Sequence, residues 1–320
     1  MPRSIPASDL GVRHAKIGSA SLAPLSASNS LINLGDLGKP ATVLIERVSD
    51  AVGGVFMPWQ IIRVAEAQAQ ADKISAVSQI EVSELQRRSI QRMLVEEAKK
   101  QQNIEEITAG SLPLLMESAD PASVESDWIS NFFEKCRLIS DEEMQNLWSR
   151  VLAGEANALG TYSKRTINFL GGMDKHDANM FASLCRFSPG DNSPGGNSMP
   201  LVYDTMAPIY AQAGITYGHL KHLDDIGLAT LNATPRFHLI NQPKEVGMYV
   251  YGKLYNINLP QEEGNKFCIG HVVLSKIGKE LARLCPNSPV EGFVEYLLAE
   301  WSKRGYQVSE DKANGNNQDA

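Results

Sequence analysis

The chain has 320 residues, 43% apolar and 21% charged, with a net charge of −7 and a pI near 5.5. That balance excludes wholesale disorder and argues against broad electrostatic attraction to nucleic acid or anionic lipid. The length suits about two domains, and no stretch approaches the ~20 apolar residues of a membrane-spanning helix.

Residues 1–38 are rich in Ser, Ala and Gly without apolar rhythm, and they are expected to be disordered. Arg3 and Arg13 precede no continuous apolar core of a secretory signal, so the expected location is cytoplasmic. From Pro40 to Phe56, residues such as Ala41, Leu44, Ile45 and Val48 recur at helical spacing, predicting an amphipathic helix that closes at Gly53-Gly54. Its apolar face is expected to pack on the next helix. A membrane-surface role is the weaker alternative, because Glu46, Arg47 and Asp50 give its polar face no excess of Lys or Arg.

Pro58 and Trp59 open a second helix that meets no proline or glycine until Gly110. As one rod over residues 59–109 it would span on the order of 70 Å at 1.5 Å per residue. Its stripe, which includes Ile74, Ile80, Leu85, Ile90, Met93, Ile104 and Ile107, is diluted by Ala and Gln. Such a stripe is too thin to be satisfied within one subunit, so the long helix of the 39–112 segment is expected to seek a protein partner or a second copy. Charge along the helix is balanced, with Arg87, Arg88 and Arg92 offset by Glu96, Glu97, Glu105 and Glu106.

Pro113 and Pro121 separate this part from a helical module over residues 113–187. There Trp128, Ile129, Phe132 and Phe133 share one face, and Met144, Leu147, Trp148, Val151 and Leu152 follow the same rhythm. Ser140 with Glu143 reads as a capping box, and Ser163 and Asp174 read as further helix starts, Asp177 completing the latter cap. Residues 188–200, SPGDNSPGGNSMP, have the composition of a linker or long loop. Beyond them, residues 201–308 read as a short helix, a helix from Thr216 to Ile226, a strand pair turning near Gly252, and a strand running into a helix capped by Ser275. A final amphipathic helix follows, and residues 309–320 are expected to be a disordered polar tail. The predicted fold is therefore mainly α: a long helix plus helical bundle, followed by a winged-helix-like α+β C-terminal module.

Candidate sites are few. Tyr162, Lys164 and Arg165 form a polar cluster at a helix start that would suit a protein partner or an anion, the competing arrangement being Ser163 as a cap and Arg165 paired with Glu155. In a DNA-reading winged helix the recognition helix would be Thr216 to Ile226, whose one firm cation is Lys221, opposed by Asp224 and Asp225. His219 and His222, with His238 and His271 as distant helpers, are outweighed as metal ligands by ordinary surface histidines. Lys175-His176-Asp177 does not make a charge relay, because sequence neighbours on a helix do not face each other. Cys136, Cys185, Cys268 and Cys285 lie far apart without CxxC spacing and read as thiols in helix cores. No nucleotide-binding, metalloprotease, hydrolase or kinase motif is present, so neither a catalytic residue nor a metal or other cofactor is expected.

LGKPATVLIERVSDAVGG, PWQIIRVAEAQAQADKI, SELQRRSIQRMLVEEAKKQQNIEEIT, LWSRVLAGE and YSKRTINFL together resemble a bacterial domain-of-unknown-function family, number 2806, across most of residues 35–285. That resemblance implies no activity or cofactor. The layout is also loosely similar to abortive-infection-type phage-defence proteins. The reading is a non-catalytic bacterial interaction and assembly protein, in phage defence or stress response, with a winged-helix transcription regulator and a membrane-surface effector as alternatives.

Overall fold

The computed structural model describes residues 38–53, 84–190, 199–285 and 288–310. Its helices are α1 (Lys39–Val52), α2 (Glu84–Ser111), α3 (Ser126–Cys136), α4 (Glu142–Asn157), α5 (Lys164–Leu170), α6 (Lys175–Cys185), α7 (Pro208–Gln212), α8 (Tyr217–Asp225), α9 (Lys276–Ala282) and α10 (Phe293–Lys303). The strands are β1 (Ala229–Leu231), β2 (Phe237–Gln242), β3 (Glu245–Val250), β4 (Lys253–Asn258), β5 (Asn265–Gly270), β6 (Val272–Leu274) and β7 (Gln307–Glu310).

α1 starts with proline in its first turn and stops where Gly53, at φ 92°, turns its N–H back to the Ser49 carbonyl. Both signals act as the sequence implies, since proline needs no intrahelical donor there and glycine tolerates the left-handed conformation. Ala41, Leu44 and Val48 are buried. Among the described residues they pack on α3 and the short turn at Pro121–Ser123; the start of the long helix, on which they were expected to pack, lies outside the described residues. On α3, Trp128, Ile129, Phe132 and Phe133 present a broad apolar face. Arg47 fixes the docking by donating to the Val124 carbonyl, and Ser130 Oγ donates to Ala51 O at 3.3 Å.

Residues 59–83 of the expected rod lie outside the described residues, and α2 supplies the rest as one unbroken helix. Only its C-terminal third is covered: Asn103, Ile104, Ile107, Thr108 and Ser111 are buried, chiefly against α4. Ser149 of α4 donates to the Ile107 carbonyl at 2.9 Å, and Asn103 Nδ2 donates to the Arg137 carbonyl at 2.8 Å. Beneath this crossing Phe132 stacks on Trp128 at 5.2 Å and meets the edge of Trp148 at 5.1 Å. Arrangements of this kind add to the burial of large apolar area.

The caps at Ser163, Asp174, Thr216 and Ser275 each accept from a backbone N–H three residues on, and Asp174 with Asp177 forms a full capping box. The expected box of Ser140 with Glu143 is not the start of α4. Asp141 caps that helix, accepting from Met144 N at 3.0 Å. A carboxylate one residue later sits closer to the free donors, and the Ser140 hydroxyl goes instead to Asn103.

The C-terminal part holds three small antiparallel sheets, β1 with β6, β2 with β5, and β3–β4–β7. β3 and β4 turn at Tyr251-Gly252, both with positive φ, the primed turn that suits the twist of a tight hairpin. β1, β2, β5 and β7 were not expected from the sequence. The expected polar tail also began too early, because Ser309 and Glu310 pair with β4. Residues 191–198 of the expected linker lie outside the described residues, yet Leu201 N donates to Phe187 O at 3.0 Å just beside them. Phe187 then meets Tyr210 at 4.8 Å and Phe293 at 5.0 Å, so the helical and mixed halves share one core.

Gly270 ends β5 at φ 101° against the Val202 backbone, where an added Cβ would lie 2.2 Å from Val202 O. Gly270→Ala therefore combines a disfavoured conformation with a backbone clash, and it is expected to cost about 3 kcal/mol or more. Thermal unfolding measures this; an unchanged melting temperature would contradict the placement of Val202.

Candidate functional site

The expected cluster at Tyr162, Lys164 and Arg165 is divided by burial. Tyr162 is only 3% exposed, its ring lies against Gly154 and its carbonyl accepts from Trp128 Nε1 at 2.7 Å. Burial pushes its phenol up to about 12. This residue is core and cannot greet a partner. Lys164 reaches Glu125 at 3.7 Å, and Arg165 is exposed. Arg165 does not pair with Glu155, whose side chain is buried and turned elsewhere.

Glu155 instead accepts from Gly160 N at 2.7 Å and Tyr162 N at 2.8 Å. The next two groups along the chain are taken by Glu280 of α9, which accepts from Ser163 N at 2.8 Å and from Thr166 Oγ1 at 2.6 Å. Burial raises the Glu155 carboxyl above its ordinary 4.5 against the pull of those N–H donors, and the nearby Glu280 adds to the rise. The arrangement is chemically saturated, which makes it a clamp on the turn before α5 rather than an open acid–base pair.

On α8, Lys221 is held by Asp225 and, at 3.3 Å, by Asp224, both on its own helix. His222 Nε2 lies 2.7 Å from Asp177 Oδ1, tying α8 to the α6 cap, while His219 completes the Thr216 capping box. No cluster among the described residues has the makings of a metal site. Lys175 pairs with Glu143 at 2.7 Å, so Lys175, His176 and Asp177 have no common target. Cys268 is on a strand rather than in a helix core. Cys185 and Cys285 lie side by side despite their sequence separation, and burial followed by the neighbouring thiol raises Cys185 well above the usual thiol range.

An open concavity with converging polar groups lies elsewhere among the described residues, at a place not singled out from the sequence. A cavity of about 410 Å³ is lined by Arg236, His238, Cys268, Arg304 and Tyr306. His238 and Cys268 are cross-strand partners in the β2–β5 ladder, which supplies one wall. Arg304 follows α10, its guanidinium 4.3 Å from the Tyr203 ring centre and 2.6 Å from Glu300 Oε2. Tyr203 is itself fixed, donating to Cys268 O at 3.0 Å and accepting from Trp301 Nε1 at 2.8 Å. Arg236 donates through Nε to His271 Nε2 at 3.1 Å, and the other nitrogen of that ring lies 2.7 Å from Asn232 O. The site was illegible in the sequence because its residues come from three separated segments, none carrying more than two ordinary side chains.

The sequence profile of the family described as "Protein of unknown function (DUF2806)" matches residues 87–298, from inside α2 to inside α10. No curated protein and no solved structure gave a significant match. No helix among the described residues is long and apolar enough to cross a membrane.

The Glu155 clamp has a pH signature. Since the native carboxyl holds its proton more tightly than the unfolded one, its contribution to stability is greatest when protonated. That contribution declines as pH rises from 4.5 through the raised native value and is flat above it. Glu155→Gln, which can accept only through its carbonyl while facing two donors, is expected to cost about 1–3 kcal/mol at neutral pH. The loss relative to wild type should shrink as pH rises through that window, because only wild type carries the titration. Denaturant melts at a series of pH values measure the difference; a difference independent of pH would show that Glu155 titrates as an ordinary carboxyl.

Proposed function

We propose that this chain, which belongs to the family described as "Protein of unknown function (DUF2806)", is a non-catalytic interaction protein that assembles with a second copy of itself through the outer part of α2. The observation that carries the reading is the uncovered continuation of a buried face. At 100° per residue, Leu85 and Met93 fall on the same side of the helix as Ile104 and Ile107, yet they are 67% and 54% exposed. Apolar residues aligned on one projecting helix face are the usual basis of helix pairing.

The charges of this stretch are paired along the helix itself, Arg87 with Glu84 at 3.6 Å and Arg92 with Glu96 at 3.5 Å, which leaves the apolar residues to make the contact with a second copy. The clamps around α5, α6 and α8 support a structural role for those helices. A DNA-binding winged helix is supported by the order of elements over residues 201–308, but its candidate cation Lys221 is already engaged by two aspartates. The apolar face of α1, the basis of the membrane alternative, is already buried on α3.

Size-exclusion chromatography with light scattering over a range of concentrations should find a dimer for the full chain. Met93→Glu introduces a charge at the centre of the contact and is expected to weaken the dimer by about tenfold or more without lowering the melting temperature of the monomer. A strict monomer at every concentration, or a dimer indifferent to Met93→Glu, would end the proposal.

A further inference from the structure

We propose that the cavity between β2, β5 and the end of α10 binds a small phosphate-bearing molecule. This inference is independent of pairing through α2, because it draws on different residues in the other half of the fold. The volume of about 410 Å³ falls in the range of small-molecule sites. The chemistry of the walls is one-sided: two guanidiniums, an imidazole and a phenol line it, and no carboxylate does. In a chain of net charge −7 such a lining is a local reversal of the overall balance.

Arg236 is exposed to solvent and Arg304 half-buried, and each is held by partners of its own. Arg236 is held at Nε by His271, and with that nitrogen accepting, the other ring nitrogen carries the hydrogen and donates to the Asn232 carbonyl. This backing uses one edge of the guanidinium and leaves its two terminal nitrogens without a partner among the described residues. Arg304 rests over Tyr203 and is bonded to Glu300 by Nη1, both through the carboxylate and through the backbone carbonyl at 2.5 Å. Glu300 also engages Lys303 at 2.7 Å, so its charge is already shared between two cations. A planar fork held from behind has little further ordering to lose on binding.

Phosphate fits this set better than a lone carboxylate, since it offers several oxygens and up to two charges to donors converging from different walls. A concave site of five lining residues also suits a discrete phosphate group better than a duplex, which requires a stripe of free cations. The helix considered for that role, α8, has its lysine committed to Asp224 and Asp225.

The test is calorimetric titration of the full chain with inorganic phosphate, ATP and vesicles containing phosphatidic acid, alongside a short DNA duplex. Saturable binding of inorganic phosphate is expected, weakened by about tenfold or more in Arg236→Ala. Arg236→Lys, which keeps the charge and loses the fork, should fall between wild type and Arg236→Ala, and Arg165→Ala should bind as wild type. Melting curves without ligand check that Arg236→Ala is folded. Tighter binding of ATP assigns the site to nucleotides, and tighter binding of the vesicles assigns it to a lipid headgroup, provided either is lost in Arg236→Ala. Absence of saturable phosphate binding, equal binding by wild type and folded Arg236→Ala, or binding of the duplex alone would overturn the proposal.

Discussion

The turn from Ala158 to Ser163 depends on two buried carboxylates that arrive from opposite directions. Glu155 comes from the end of α4, immediately before the turn, and takes the N–H groups of Gly160 and Tyr162. Glu280 comes from α9, more than a hundred residues later, and takes the next N–H together with the Thr166 hydroxyl. A buried carboxylate left unpaired costs far more than one hydrogen bond returns, so the charges and the donors must be placed together or not at all. Tyr162 is thereby held in the core, its carbonyl facing Trp128, and the aromatic cluster of α3 and α4 acquires its edge. The same contacts join the helical half to the mixed half.

Much of the helical half was legible because local signals and long-range packing agree there. Proline at the first turn and glycine at the end of α1, the side-chain caps at Ser163 and Asp174, and the three-four rhythm of α3 and α4 all specify the same elements. Ser140 misled because serine and aspartate compete for the same cap, and the choice depends on Asn103, a residue on another helix. The docking of α1 on α3 was not legible for a similar reason: periodicity says which face is apolar but not which neighbour meets it.

The mixed half was less legible. β2 lies between two prolines and pairs irregularly with β5, and most of β5 is buried on both faces, so Phe267, Cys268 and Ile269 give no alternation to read. β7 is short and polar, and its existence depends on the exposed edge of β4. The basic cavity was hidden for the same reason as these strands. Arg236, His238, Cys268 and Arg304 become one site only once the β2–β5 ladder has formed.

The hydrogen bond from Leu201 to Phe187 seats the start of the mixed half directly on the end of the helical half. Phe187 also meets Tyr210 and Phe293, so one backbone carbonyl and one ring of the same residue hold both sides of that joint. A substitution that shifts Phe187 therefore moves the entry of the mixed half together with its aromatic centre, and damage at this position is transmitted to both halves at once.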